Sequence, residues 1–414
     1  MMDRGASISR RSVLFGAGVT SLAACARPSQ RNELVIWHAY RGREAEALLA
    51  AIDLYHQRKS ASEARVRAVP IPFDAFADKI SATIPRGKGP DLFIFAHERL
   101  GGWVEGGLTV EPIGFWVTEA MRSQCLPGLF EALTYKGEVF GLPLSFKSVA
   151  LIYNRGLSPD PPRTTADLVI QAAALTDTPS GRYGLAYTFD DFFYHAALQN
   201  GFGGGVLDAN GAPILNHPSN IEAANLMLRW KNSAPRMPDE PSFALIQSLF
   251  NQGRAAMTIS GPWFLGEVNK SIDVAVAPLP LLSEARGAPI RPWLAIEGIF
   301  ISPGSPRTEE AFRFASFLCG EEAGLLLARD GGQLHANRAI YEDATMRSNA
   351  IATAFRTQLE TATPMPNIPE MTPIWSPADK AMKRIVKGES SPEAAWNKAQ
   401  AEVVEAIAAL RDPA

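Results

Sequence analysis

Aromatic rings placed directly behind apolar runs, mixed with carboxylates and guanidinium groups, are the chemistry this chain puts on view. Phe95-Ala96-His97-Glu98-Arg99 closes the run Asp91 to Phe95, and Gly261-Pro262-Trp263 follows Met257 to Ser260 in the same way. Trp375 sits behind the proline-rich stretch Met365-Pro366-Asn367-Ile368-Pro369. Asp190-Asp191-Phe192-Phe193-Tyr194 interrupts a further apolar region. A sugar presents C–H groups on its ring faces and hydroxyls around its rim. Aromatic side chains can cover the faces while Asp, Glu, Arg and Lys hydrogen-bond the hydroxyls. Plainer roles stand beside this one: Trp263 or Phe95 as core, His97 as a support for its loop, Glu98 with Arg99 as a solvated pair, Tyr194 as cover for a helix. Two of Glu98, Glu297, Asp190 and Asp191 could instead flank a glycosidic bond as acid and base, which needs a separation of about 5–9.5 Å.

These residues need a scaffold that ends strands beside one another. Leu34-Val35-Ile36-Trp37 and Asp91 to Phe95 read as strands buried on both faces, the second introduced by the turn Gly87-Lys88-Gly89-Pro90. Further strands are expected at Val149 to Tyr153, Ala255 to Ile259, Val274 to Ala277 and Gly298 to Ser302. Leu48, Ile52 and Tyr55 share one helical stripe. A helix is expected from Thr308, as cap, to Cys319, and a last one behind Ser391-Pro392 with a stripe through Ala395, Ala399, Val403, Ile407 and Leu410. Strands alternating with helices argue for α/β layers, and α/β folds place ligands at the C-terminal ends of strands.

The N-terminus reads as an export signal. Ser9-Arg10-Arg11-Ser12 carries a twin-arginine pair, and the apolar run Val13 to Ala24 is too short to span a bilayer. Leu22-Ala23-Ala24-Cys25 resembles a lipobox, in which Cys25 takes the lipid and becomes the mature N-terminus. Residues 26–32 form a polar spacer. The remainder is long enough for two domains. A net charge of -3 with 20% charged residues, and no basic block, argues against a nucleic-acid partner. The six histidines form no metal-ligand spacing, so neither a metal nor a cofactor is expected. Cys125 and Cys319 could pair in an oxidising compartment, but nothing in the sequence brings them together, and they read first as two buried free thiols.

The mature chain resembles the extracellular solute-binding proteins of ABC importers, in their maltose/maltodextrin-binding branch. The resemblance rests on Leu34 to Trp37, Gly89-Pro90-Asp91, Ala96-His97-Glu98-Arg99 with Gly101-Gly102, Leu151-Ile152-Tyr153-Asn154, Ala256 to Ile259, Gly261-Pro262-Trp263, and Met365 to Pro369 leading to Trp375. It implies a type II periplasmic binding protein fold: two α/β lobes, a hinge and an interlobe cleft. The lobes are expected at 33–146 plus 299–345 and at 147–298 plus 346–412. It implies a lipid-anchored, monomeric, non-enzymatic component that closes on a saccharide and delivers it to the membrane subunits of an importer. Phe95, Trp263 and Trp375 stand at stacking positions, Glu98 and Arg99 at an acid–arginine pair, and Asp191 and Phe193 near a further acid and aromatic.

Three departures rewrite the polar edge. The loop His38-Ala39-Tyr40-Arg41 is shorter and lacks the family's acid–lysine pair; Lys147 replaces an acid; Ser376 and Asp379 replace a tyrosine and an arginine. The expected ligand set is Tyr40, Arg41, Phe95, Glu98, Arg99, Lys147, Asp191, Phe193, Trp263, Glu297, Trp375 and Asp379, with Lys147 and Asp379 close enough to act as a pair. Lys147 with Arg41 keeps a non-sugar or anionic solute, such as a polyol or a phosphorylated small molecule, as the alternative on the same scaffold. A secreted glycoside hydrolase is the other alternative.

Overall fold

The computed structural model describes residues 33–411, apart from 59, 61–63, 108 and 109; Cys25 and the rest of the export signal lie outside the described residues. The main strands are β1 (Glu33–His38), β2 (Arg65–Pro70), β3 (Leu92–Ala96), β4 (Gly141–Lys147), β5 (Ala150–Asn154), β6 (Tyr183–Leu185), β7 (Ala255–Ser260), β8 (Val274–Ala277), β9 (Trp293–Ile301) and β10 (Thr363–Pro364). One sheet has the order β10-β9-β3-β1-β2, with β4 also paired to β9, and the other the order β8-β5-β7-β6. In the first, β1 lies parallel between β2 and β3. Parallel neighbours need crossover connections, so their C-terminal ends gather along one edge of the sheet. The crossover behind β1 is helix α1 (Gly42–Arg58), which buries the expected Leu48, Ile52 and Tyr55. The one behind β2 contains helix α2 (Phe73–Thr83).

Each sheet covers one apolar core of its own, a third cluster joins residues of both sheets, and the chain passes from one core to the other through β4 into β5 and again along β9. Leu142 and Leu144 of β4 pack with Leu34, Ile36 and Phe314, whereas Leu151 and Tyr153 of β5 pack with Met257, Trp230 and Trp396. In β9, Trp293 and Ala295 belong to the second core while Ile299 and Ile301 belong to the first. These crossings lie side by side, because β4 and β9 are antiparallel partners from Ala295↔Lys147 to Phe300↔Gly141, with a bulge between Glu297 and Gly298. A bulge locally bends and re-aims a strand, and this one sits where β9 leaves one lobe for the other.

Four more helices complete the frame of the site. They are α3 (Phe192–Gly201), α4 (Thr308–Cys319), α5 (Trp375–Val386) and α6 (Pro392–Arg411). Three sequence expectations are corrected here. The β9 strand starts at Trp293, well ahead of Gly298, because its first half is ordered by the other lobe. Thr308 is the first helical residue of α4, behind Arg307, and its hydroxyl donates back to Ser305 O at 2.9 Å. Leu410 is exposed, although Ala395, Ala399, Val403 and Ile407 ahead of it are buried.

Candidate functional site

The crossing strands carry a buried charge cluster. Lys147, the last residue of β4, holds its ammonium 3.0 Å from Glu44 Oε1 and 3.1 Å from Glu297 Oε1. The Tyr40 hydroxyl donates to Glu297 Oε2 at 3.0 Å, and the Ser145 hydroxyl donates to the same oxygen at 2.7 Å. Burial alone would push the Lys147 ammonium down, but Glu297 and Glu44 hold it up at about 12, so it stays charged throughout the physiological range. Burial pushes the Glu44 carboxyl up, against the pull of Lys147. The Lys147 ammonium also lies 5.1 Å from the Tyr40 ring centre and 5.8 Å from that of Trp263, within cation–π reach of both. One cation therefore links α1, the loop behind β1, both crossing strands and the helix turn behind β7.

An aromatic wall continues from Trp263 along the second lobe. Gly261-Pro262 starts a short helix whose first turn presents Trp263; proline is tolerated there because the first helical N–H lacks an intrahelical partner. The Trp263 indole N–H donates to the Tyr194 hydroxyl at 3.4 Å, and its ring centre lies 6.0 Å from that of Phe193. Phe192 meets Trp375 edge-on at 6.0 Å. Trp263, Phe193 and Trp375 are all half-buried, so each retains accessible ring surface.

Helix α3, which supplies Phe192 and Phe193, is capped by two carboxylates. Asp191 Oδ1 accepts from Phe193 N–H at 2.8 Å, and Asp379 Oδ1, from α5, accepts from Phe192 N–H at 3.1 Å. Burial, and then the neighbouring Asp379 charge, push the Asp191 carboxyl up to about 7. Asp379 stands one turn beyond Trp375 on α5, on the same helical face. The two acids thus fix the angle between the helices that carry these aromatic groups.

The loop edge of the first lobe is tied down from behind. The Nδ1 of His97 accepts from Ile296 N–H at 3.0 Å, which puts the proton on Nε2, and Nε2–H donates to Met365 O at 2.9 Å. Burial drives its pKa down to about 4, so it is a neutral strut between β3, β9 and the proline-rich stretch. Gly101 N–H donates to Asn367 O at 2.8 Å, and a Cβ at Gly101 would lie 2.5 Å from that oxygen. Only glycine allows this approach, which explains Gly101 beside Met365 to Pro369. Glu98 is buried, its Oε2 has no hydrogen-bond partner, and Arg99 Nε lies 3.7 Å from Oε1. Burial pushes the Glu98 carboxyl up, partly offset by Arg99.

Two expectations about this site are corrected. Lys147 and Asp379 do not pair: Lys147 is held by Glu44 and Glu297, while Asp379 caps α3. Phe95 is buried and stacks on Phe76 at 4.9 Å and on Phe73 at 5.5 Å, so its ring belongs to the core instead of forming an open platform. The exposed ring of that stack is Phe73, 57% accessible, at the start of α2 behind the C-terminal end of β2. Sequence reasoning missed Phe73 and Glu44. The signal for Phe73 was Pro72 beside an aromatic at a helix start; Glu44 reads only as a dipole-compensating first-turn acid until its partner is seen.

The loop behind β1 also meets residues of the second lobe. The Arg41 guanidinium lies 5.1 Å over the Phe243 ring, and a Cβ on Gly42, whose φ is +47°, would lie 3.4 Å from Gly266 O. Tyr40, Arg41, Lys147, Phe193, Trp263 and Glu297 are thereby gathered around the crossing strands, with Asp191, Trp375 and Asp379 behind them on α3 and α5.

The family model of bacterial extracellular solute-binding proteins matches residues 43–325. The chain is 30% identical to the maltotriose-binding protein of Pyrococcus abyssi over 86% of its own length and 78% of the relative's. It is 27% identical to the maltooligosaccharide ABC transporter solute-binding lipoprotein of Streptococcus pneumoniae, over 80% of this chain and 79% of that one. Among solved structures, the Thermus thermophilus maltotriose-binding protein bound with maltotriose superposes with a TM-score of 0.83 at 25% identity, covering 90% of this chain and all of the other.

Proposed function

Because the chain belongs to the bacterial extracellular solute-binding proteins, with their type II periplasmic binding fold, we propose that it binds a neutral oligosaccharide between its lobes and presents it to an ABC importer. The observation that carries this reading is the row of half-buried rings, Trp263, Phe193 and Trp375, set beside a charge cluster whose cation is already spent. Lys147 is neutralised by two carboxylates, which leaves that cation unavailable to an anionic solute. The names of the relatives, which bind maltotriose and maltooligosaccharides, agree with the ring surface.

The protein performs no chemistry in this reading; its output is closure. The lobes are 33–146 plus 299–345 and 147–298 plus 346–412. Tyr40 is as buried as Phe95, so a sugar touching Phe73 on one lobe and Trp263 and Trp375 on the other stabilises the closed state against the open one. Moving that balance from 1:99 to 99:1 takes about 5.5 kcal/mol of differential affinity, within reach of two stacking contacts and several hydrogen bonds to charged groups. Export and anchoring through Cys25 place the site outside the cytoplasm. Detergent partition tests the anchor: Cys25→Ser should move the protein to the aqueous phase, and a wild-type chain already there removes the claim. Titration calorimetry with maltotriose, maltotetraose and a galacto-oligosaccharide tests the ligand class, and product analysis of the same mixtures tests for turnover.

A further inference from the structure

We propose that Cys125 and Cys319 are joined as a disulfide in the exported protein, locking the outer layer of the first lobe. Their sulfurs are unlinked in this structure. Three contacts place them around one residue, Asn337. Cys125 stands opposite Asn337 in an isolated antiparallel bridge, a pairing that brings α-carbons to about 4.5–5.5 Å. The neighbouring Leu126 N–H donates to Ala336 O at 2.9 Å and fixes that register. The Asn337 side-chain N–H then donates to Cys319 O at 3.2 Å. Both cysteines also pack against the same apolar core, with Met121, Phe317 and Phe312 among its partly buried edge. Two chain segments far apart in sequence, the end of the helix Glu119–Gln124 and the end of α4, thus bring a cysteine each to the strand-like segment around Asn337.

Chemistry favours a permanent link over a switch. Burial pushes the Cys125 thiol up to about 11, and burial together with the nearby Cys125 pushes Cys319 well above its usual range. Thiolate, the attacking species, is scarce in the folded chain, so the bond forms while the segments are still assembling. The family is extracellular, and compartments outside the cytoplasm keep disulfides. With oxidised glutathione as oxidant, one cysteine thiolate attacks its disulfide and releases one glutathione. The second thiolate attacks the protein sulfur of that mixed disulfide, forms the Cys125–Cys319 bond and releases the second glutathione. Two electrons pass to glutathione, and the two protons lost by the cysteines end on its thiols.

The test is refolding of the full chain from denaturant in a glutathione redox buffer, alkylation of free thiols, and non-reducing peptide mapping. A linked peptide pair containing Cys125 and Cys319 is expected. The melting temperature should drop by about 5–10 °C when a reductant is added, and Cys125→Ala should show no such drop. Alkylation of both cysteines, glutathione adducts on each, linkage of either one to Cys25, or an unchanged reductant effect in Cys125→Ala would overturn the proposal. The map of the wild-type chain decides the matter even if the variant does not fold.

Discussion

Replacing Lys147 by methionine leaves Glu44 and Glu297 as two buried carboxylates with no cation between them. Each ion pair, at about 3 Å and an effective dielectric near 20, is worth roughly 5–6 kcal/mol before desolvation. Removing the lysine also removes its own burial cost, and breaking such buried pairs from one side has a net cost of about 3–5 kcal/mol. That cost depends on pH in a defined direction. Without Lys147, a carboxyl already pushed up by burial rises further, and its folded pKa stands above its unfolded value. Such a group contributes stability that is fully present below the unfolded pKa, near 4.5, and lost as pH rises through the folded value. The deficit of Lys147→Met against the wild type should therefore be small at pH 4.5 and reach about 3 kcal/mol or more by pH 8, measured by chemical denaturation. Adding Glu44→Gln should recover part of it at pH 8, because one of the two uncompensated charges is then gone. A Lys147→Met protein within 1 kcal/mol of the wild type at both pH values would refute the reasoning.

The second buried acid site gives a related expectation. Asp191, at about 7 when folded and 3.8 as a free side chain, withdraws stability progressively between pH 4 and 7, up to about 4 kcal/mol. Asp191→Asn keeps the helix cap, so it should flatten this slope and stabilise the protein at pH 8 in thermal or chemical denaturation. Gly101→Ala should cost about 2–4 kcal/mol in the same assay, since its Cβ would meet the backbone at Asn367 and Pro369. Trp263→Ala should weaken oligosaccharide binding by about 1–3 kcal/mol in calorimetry. Phe73→Ala should weaken it by about 1 kcal/mol while leaving the melting temperature nearly unchanged, because that ring is largely exposed.

Much of the frame was legible where physics is local. Leu34 to Trp37 and Val274 to Ala277 read as strands because buried strands in such sheets are continuously apolar. The cap Ser391 and the Pro392 start of α6 follow from helix-end chemistry and stand within a residue of expectation. What was hidden depends on distant partners. The early start of β9 is imposed by Trp293 packing with the second core, far away in sequence. The Lys147 network joins residues 44, 147 and 297, and no spacing rule connects them. Phe95 behaves as core because Phe73 and Phe76 from α2 cover it, a packing choice that sequence position behind a strand does not reveal. The resemblance named candidate segments, whereas the partners of Lys147 and Asp379 came only from three-dimensional contacts.

Isothermal titration of the purified protein with maltotriose, followed by chromatography of the recovered ligand, tests the central claim most directly. The account predicts saturable binding at one site per chain, with the trisaccharide recovered intact and affinity reduced in Trp263→Ala. No binding of maltotriose or of any neutral oligosaccharide in a panel, or release of shorter sugars, would contradict it.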